Sequence, residues 1–298
     1  RHFLKMERFE MINYSLRNLW HRKTRNSLTI LSILVGIATI FIFISFGWGL
    51  YNYIEDITTD SLWFSSIKKN DGKYVIPKRN FLPKNSSDFQ GLFIPEIPYQ
   101  FIKRFTRENE LVWDCFGGSG TTKKVCDILK RNCVINDLTP TEDFIVQGDS
   151  RLFAPNKNVQ MVIVHPPYHN IVKYSDLDGD GSSFDKIDEF LVWFEEVISN
   201  VTKYLEKDRF LILVCGNLYH KGEEHTLGVW CKDIVRKYNF KCKSHIIKDY
   251  GETKGGNKRA YNLNYYRQLK GNYNNFYGDN IFILQKIKNV GNNNANSR

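Results

Sequence analysis

The sequence predicts an α/β protein, a doubly wound and mainly parallel sheet preceded by one transmembrane helix. Three observations lead there. Apolar strand-like runs recur at 111–113, 133–136, 144–147, 159–164, 210–215, 244–248 and 280–285. Amphipathic stretches at 97–106, 121–131, 187–206 and 226–238 lie between several of them. Strands that alternate with helices build parallel sheets whose crossovers cover both faces. Third, residues 26–54 carry no charged side chain, and Leu28 to Leu50 is almost wholly apolar. That length matches the roughly 20 residues needed to span a hydrocarbon core.

The apolar run divides the chain. Arg17, Arg22, Lys23 and Arg25 precede it, and Glu55, Asp56 and Asp60 follow. It is too long for a signal peptide, and no small-residue cleavage site follows it. Three parts are therefore expected: an N-terminal segment over 1–56 with its helix at about 28–50, a soluble domain over 57–290, and a polar tail over 291–298. Asn292 to Arg298 is expected to be disordered. No internal repeat is visible.

The formal charge of +10 and the pI of about 9.2 suit a polyanion or an anionic membrane surface, without choosing between them. The six cysteines (115, 126, 133, 215, 231, 242) form no C-x-x-C pair and no Cys/His ligand spacing. They read as reduced, buried thiols of a cytosolic domain, with no disulfide framework and no zinc site. Asp176, Asp178, Asp180 and Gly181 imitate the start of a calcium loop, but Ile187 stands where a bidentate glutamate is required. No metal is expected, and the segment reads as a mobile acidic loop beside the target pocket.

Two strings carry the chemistry. Asp114-Cys115-Phe116-Gly117-Gly118-Ser119-Gly120-Thr121-Thr122 is a Gly-rich turn after the strand Leu111-Val112-Trp113. Glycine allows close backbone approach to a ligand and positive φ, and a helix beginning at Thr121 favours anionic groups at its N-terminus. No Gly-Lys-Ser/Thr follows, which excludes a P-loop. Asp137 closes the next strand, where an acid commonly takes ribose hydroxyls. Gly148-Asp149 closes the third, where a carboxylate can accept from an adenine amino group. The second string, His165-Pro166-Pro167-Tyr168, is a rigid turn after the strand 159–164. It argues against a dinucleotide dehydrogenase. A nucleotide-like cofactor and a planar substrate can meet where two such strand ends lie side by side.

Residues 57–288 resemble the DNA amino-methyltransferases that make N6-methyladenine or N4-methylcytosine. Asp114 to Thr122 is similar to their Asp-Pro-Phe-x-Gly-Ser-Gly-Thr-Thr motif, with Cys115 in place of proline. His165 to Tyr168 is similar to their (Asp/Asn/Ser)-Pro-Pro-(Tyr/Phe) motif, with histidine first, and Ile94 to Thr106 resembles the helix before the cofactor motif. The resemblance implies a Rossmann-like S-adenosylmethionine-dependent methyltransferase. It implies Asp114, Phe116, Gly117, Gly118, Gly120, Thr121, Asp137 and Asp149 around the cofactor. His165, Pro166, Pro167 and Tyr168 would hold a flipped base for direct methyl transfer. A protonated His165 would become a donor and oppose that role. C5-cytosine chemistry is excluded because no proline precedes a cysteine.

Lys254, Lys258, Arg259, Tyr265, Arg267 and Lys270 interleave cations with aromatics and are expected to contact nucleic acid. DNA is the expected partner and RNA the alternative, because Pro-Pro-Tyr turns also serve RNA amino-methyltransferases. A restriction endonuclease is a further partner that the resemblance brings into view. Met11 to Trp20, Arg22 to Arg25 and the following helix resemble the start of a MacB-type ABC-transporter permease. A membrane transport component is therefore a third reading. Positive-inside bias would place everything after residue 55 outside the cytoplasm, where neither cofactor nor DNA is expected. Either the helix inserts the other way or two unlike parts are joined, and a junction near Asp56–Ser61 is the favoured reading, with a cytoplasmic methyltransferase domain and a membrane-associated helix.

Overall fold

The computed structural model describes residues 2–55, 62–63, 94–249 and 278–287. The chain divides into two compact units, 1–57 and 58–298. The first is a single helix, α1 (His2–Glu55). Its stretch Asn26–Gly49 is long and apolar enough to cross a membrane. At 1.5 Å per residue it runs about 36 Å, beyond the ~30 Å of a hydrocarbon core. Leu28, Ile33, Phe41, Phe43 and Phe46 are all exposed, so the helix is apolar around its whole circumference.

The second unit holds an eight-stranded sheet in the order β1-β9-β10-β6-β5-β2-β3-β4. The strands are β1 (Leu62–Trp63), β2 (Leu111–Asp114), β3 (Asn132–Asp137), β4 (Val146–Gln147), β5 (Val159–Val164), β6 (Leu205–Cys215), β9 (Phe240–Asp249) and β10 (Gly278–Lys286). All neighbours pair in parallel except β10, which runs antiparallel between β6 and β9. The expected doubly wound, mainly parallel sheet is present, with one reversed strand.

Helices α2 (Glu96–Phe105), α3 (Thr121–Ile128), α4 (Ile187–Tyr204) and α5 (Leu227–Arg236) occupy the four expected amphipathic stretches. Strand side chains alternate between two cores, as a sheet covered on both faces requires. Val112, Met161, Ile163, Ile212 and Ile281 pack with Ile97, Phe101 and Ile102 of α2 and Val125 of α3. Trp113, Val162, Val164, Leu211 and Phe282 pack with Phe190, Phe194, Val197 and Val201 of α4 and Val235 of α5. The α4 set recurs every three or four residues, which puts it on one helical face.

Three local expectations need correction. The run 144–147 yields only the two-residue β4, because Val146 and Gln147 at the edge have nothing to bury them and Glu142–Ile145 form a turn. A hairpin of β7 (Leu218–His220) and β8 (Glu223–His225) follows β6 where no strand was expected. Lys221 (φ 49°) and Gly222 (φ 86°) close it with the two positive φ values that a tight two-residue turn demands. Of the cysteines, 115, 126, 215 and 231 are buried, whereas Cys133 is half-buried and Cys242 exposed.

Candidate active site

Strand order reverses at β2, which pairs with β3 on one side and β5 on the other. Open α/β sheets bind ligands at the carboxyl ends of strands at such a point. Both motifs end there. Asp114 is in register with Ile163, and the Cys115 N–H donates to the Ile163 carbonyl at 3.3 Å.

The Gly-rich turn is tied down at both ends. Asp114 is buried; its Oδ1 accepts from the Phe116 N–H at 3.1 Å and its Oδ2 from the Thr122 hydroxyl at 2.5 Å. Burial pushes its carboxyl up to about 7, against these two hydrogen bonds. Among the described residues, Asp114 belongs to no ion pair. Gly117 donates to the Asn136 carbonyl at 3.0 Å, and a Cβ there would lie 2.4 Å from Ile135 Cγ2. At Gly120, φ is 70° and a Cβ would lie 2.5 Å from Phe144 Cζ, so this turn needs glycine twice over.

Asp137 is half-buried at the end of β3. Its Oδ2 accepts from the Gly118 N–H at 2.8 Å and its Oδ1 from the Thr139 N–H at 2.9 Å. Burial raises its pKa, the two N–H groups oppose that, and Asp180 adds to it. Asp149 lies two residues past β4. It accepts from the Arg151 main chain at 2.8 Å and from the guanidinium at 2.9 and 2.7 Å. Arg151 also faces Asp178 at 3.4 Å and Glu196 at 3.6 Å.

The acidic loop differs from expectation. Asp180 is buried and accepts from the Ser182 N–H, the Ser182 hydroxyl and the Ser175 hydroxyl, each at 2.7 Å. The Trp193 indole N–H donates to the Gly179 carbonyl at 2.9 Å. A Cβ on Gly179 would sit 2.4 Å from Asp149 Oδ2. The loop is thus fastened by its own hydrogen bonds and by Trp193 of α4, with Gly179 close against Asp149.

At the end of β5, the His165 Nε2 lies 3.1 Å from the Tyr168 hydroxyl. That hydroxyl donates to Asp279 Oδ1 at 2.8 Å, and the Lys248 ammonium lies 3.7 Å from Asp279 Oδ2. Desolvation lowers the His165 pKa to about 4; Asp279 opposes the shift and Lys248 reinforces it. The imidazole is therefore neutral at pH 7, which removes the objection that it would be a cation. Pro166 is buried and Pro167 half-buried. Gly216, just past β6, carries the Tyr168 ring: a Cβ there would lie 2.7 Å from its Cε2.

The DNA methylase family matches residues 18–142 and 159–290, most of the chain. The chain belongs to this family. It is a methyltransferase, and its cofactor is S-adenosylmethionine. The match begins inside α1 and so takes in the apolar stretch. No curated protein matches the chain in sequence.

Solved structures resemble it at low identity. TrmN from Thermus thermophilus is 13% identical over 66% of this chain and 50% of that one, with a TM-score of 0.41. This chain thus spans half of that protein's length. An O-methyltransferase of a trans-AT PKS multienzyme from Brevibacillus brevis, bound to S-adenosyl-L-homocysteine, is 13% identical over 65% of this chain and 72% of that one, with a TM-score of 0.39.

The residues at the two turns fit that cofactor by the chemistry of their donor set. Asp114 is a buried carboxylate that feels the charge of a second carboxylate, Asp137, and belongs to no ion pair among the described residues; an amino-acid ammonium would supply a countercharge. The first turn of α3 offers N–H groups to a carboxylate. Asp137 and Asp149 each keep acceptor capacity beyond the bonds already made, since a carboxylate has about four lone-pair sites.

The six candidate nucleic-acid residues, Lys254 to Lys270, lie outside the described residues, as do the junction near Asp56–Ser61 and the polar tail. Sequence reasoning missed Arg151, Gly216, Lys248, Asp279 and a pair of adjacent histidines, His169 and His220. His169 has φ 53° and is fully buried, and among the described residues neither ring nitrogen has a partner within hydrogen-bond geometry. Its ring lies 5.9 Å from Phe190 and 5.3 Å from His220. Only Gly216 carried a usable signal, a glycine at the carboxyl end of a central strand.

Proposed function

We propose that the protein methylates an exocyclic amino group, adenine N6 or cytosine N4, of a base flipped out of DNA. The observation that carries this reading is the side-by-side placement of the Gly-rich turn and the His-Pro-Pro-Tyr turn, through the pairing of β2 with β5. Asp114 and the α3 N-terminus would hold the amino-acid end of the cofactor, Asp137 its ribose and Asp149 its adenine, with Phe116, Gly117, Gly118, Gly120 and Thr121 shaping the cradle. When bound, the cofactor supplies an electrophilic sulfonium methyl.

The protein's task is then positioning. An exocyclic base amine is a poor nucleophile, because its lone pair is delocalised into the ring. Neutral His165 and the Pro166 carbonyl accept its two N–H bonds and turn the lone pair out of the ring plane, toward the methyl. Pro166 and Pro167 contribute no competing N–H donors, and Tyr168 stacks on the extruded base. Residues 57–290 constitute the catalytic domain in this reading. Lys254, Lys258, Arg259, Tyr265, Arg267 and Lys270 hold the nucleic acid, and residues 1–56 form a membrane-associated, permease-like segment. A cytoplasmic catalytic domain paired with a restriction endonuclease completes it.

The test uses full-length protein in detergent with methyl-labelled cofactor and unmethylated genomic DNA or total RNA, followed by nucleoside mass spectrometry. N6-methyladenine or N4-methylcytosine in DNA is expected. Label confined to RNA would overturn the DNA assignment, and label in neither would overturn the reaction.

A further inference from the structure

Asp149 lies just past β4, a two-residue strand at the end of the sheet. A turn holds its main chain, the carbonyl accepting from the Leu152 and Phe153 N–H groups at 2.9 and 2.7 Å. The terminal torsion of an aspartate is nevertheless soft, and its angle decides which hydrogen the carboxylate can accept. Here that torsion is stopped from three sides. Oδ1 takes the Arg151 main-chain N–H at 2.8 Å. Oδ2 takes both Nε and Nη2 of the Arg151 guanidinium, at 2.9 and 2.7 Å. The Gly179 backbone covers the same pair, since a Cβ on it would clash with Oδ2 and lie 2.8 Å from Arg151 Nη2. Arg151 is pinned in turn, with Nη2 3.4 Å from Asp178 and Nη1 3.6 Å from Glu196. The Asp149 and Arg151 side chains are 17% and 22% exposed, so solvent screens their contact only in part.

Counting lone pairs singles out one oxygen. A carboxylate has about four acceptor sites. Among the described residues Oδ2 spends two of them and Oδ1 one, so Oδ1 keeps the remaining capacity. We infer that Arg151 is a positioning residue for the cofactor's purine: it locks the Asp149 carboxylate so that Oδ1 accepts from the 6-amino group of adenine and cannot swing to another donor. The inference rests on the reading of Asp149 as the adenine acceptor, and adds the residue that makes that acceptor selective.

The selectivity follows from where a purine carries its hydrogens. A 6-amino group has an N–H to give. A 6-oxo group has none, and the hydrogen of a 6-oxopurine sits one ring atom away, on N1. A locked carboxylate therefore meets a 6-oxo oxygen acceptor to acceptor, whereas a carboxylate free to turn can follow the hydrogen to N1. Discrimination between the two purines thus measures how firmly Asp149 is held. Arginine suits the task because its planar guanidinium delivers two N–H groups in fixed directions; a lysine ammonium carries the charge without that geometry.

The experiment is calorimetric titration of full-length protein in detergent with S-adenosyl-L-homocysteine and with its 6-oxo counterpart, S-inosyl-L-homocysteine. Neither ligand carries a methyl to transfer, so the readout is binding alone. The wild type should prefer the adenine ligand by about thirtyfold, the scale of one hydrogen bond to a charged group. Asp149→Ala and Arg151→Gln should each bring that preference to about threefold or less. Arg151→Lys keeps a cation facing Asp178 and Glu196 and should still lose most of the preference, which decides the matter if Arg151→Gln does not fold. Gly179→Ala pushes on the carboxylate from the loop side and should lower the preference with Arg151 intact. Equal weakening of both ligands in the Arg151 variants, with the preference kept, would overturn the inference and leave Asp149 as the adenine acceptor. A preference kept in Asp149→Ala, or absent from the wild type, would overturn the placement of adenine at Asp149 and the inference with it.

Discussion

Asp114→Asn offers a direct measure of how the cofactor turn handles charge. Burial raises the Asp114 carboxyl from 3.8 to about 7. Stability contributed by its protonated form is complete below pH 3.8 and is lost as pH rises through 7. At 1.36 kcal/mol per unit, the full span is about 4 kcal/mol, of which about 2–3 kcal/mol falls between pH 5 and pH 8. Asparagine has nearly the same shape and cannot ionise, so the variant should gain on the wild type by that amount across the window. Urea unfolding of both proteins in detergent at pH 5, 6.5 and 8 reads the difference directly. Parallel stability curves would refute the idea that a lone buried charge sits in this turn. Cofactor titrations add a second reading: if the ammonium settles beside Asp114, wild-type affinity should tighten from pH 6 to pH 8, and that of the variant should not.

Three further outcomes are expected. Asp137→Ala should raise the cofactor KM more than any other single change in the turn, since it removes a ribose acceptor and the anchor of the Gly118 N–H; an unchanged KM would remove Asp137 from the site. Gly216→Ala forces the Tyr168 ring off its seat, because the new methyl would meet Cε2 at 2.7 Å, and should lower turnover with cofactor affinity intact, as read by steady-state kinetics and cofactor titration. His165→Asn restores an oxygen acceptor and should keep activity. It should also flatten the acid limb of stability, because the His165 pKa, lowered to about 4, makes the wild type lose stability as pH falls from 6.5 through 4.

The parts of the fold that were legible in sequence are those written in local patterns. Met161 to Val164 is a continuous apolar run because both faces of β5 are covered there, and Phe190, Phe194, Val197 and Val201 repeat at helical spacing. The two motifs announced themselves because each needs fixed residues at fixed separations along a single turn. Asp279 and Lys248 gave no such signal. Their meaning comes from β10 lying between β6 and β9, a pairing that no local period encodes. Arg151 was equally silent, since a basic residue two positions after an acid is ordinary until the backbone turns them together. His169 hid for the opposite reason: it sits beside a strong motif, and only the folded hairpin β7–β8 brings His220 against it.

The placement of β10 also governs when the enzyme can come into being. A ribosome delivers Tyr168 long before Asp279, and until residues 278–286 emerge, the nascent sheet carries a gap between β6 and β9. Both strands bordering that gap would show unpaired backbone edges, a template for association with other chains. Filling the slot is a long-range event of the kind that slows folding. Among the described strands the one that seals the sheet follows all the others in the chain, and methylation competence should arrive abruptly once residues 278–286 have emerged, instead of growing with chain length.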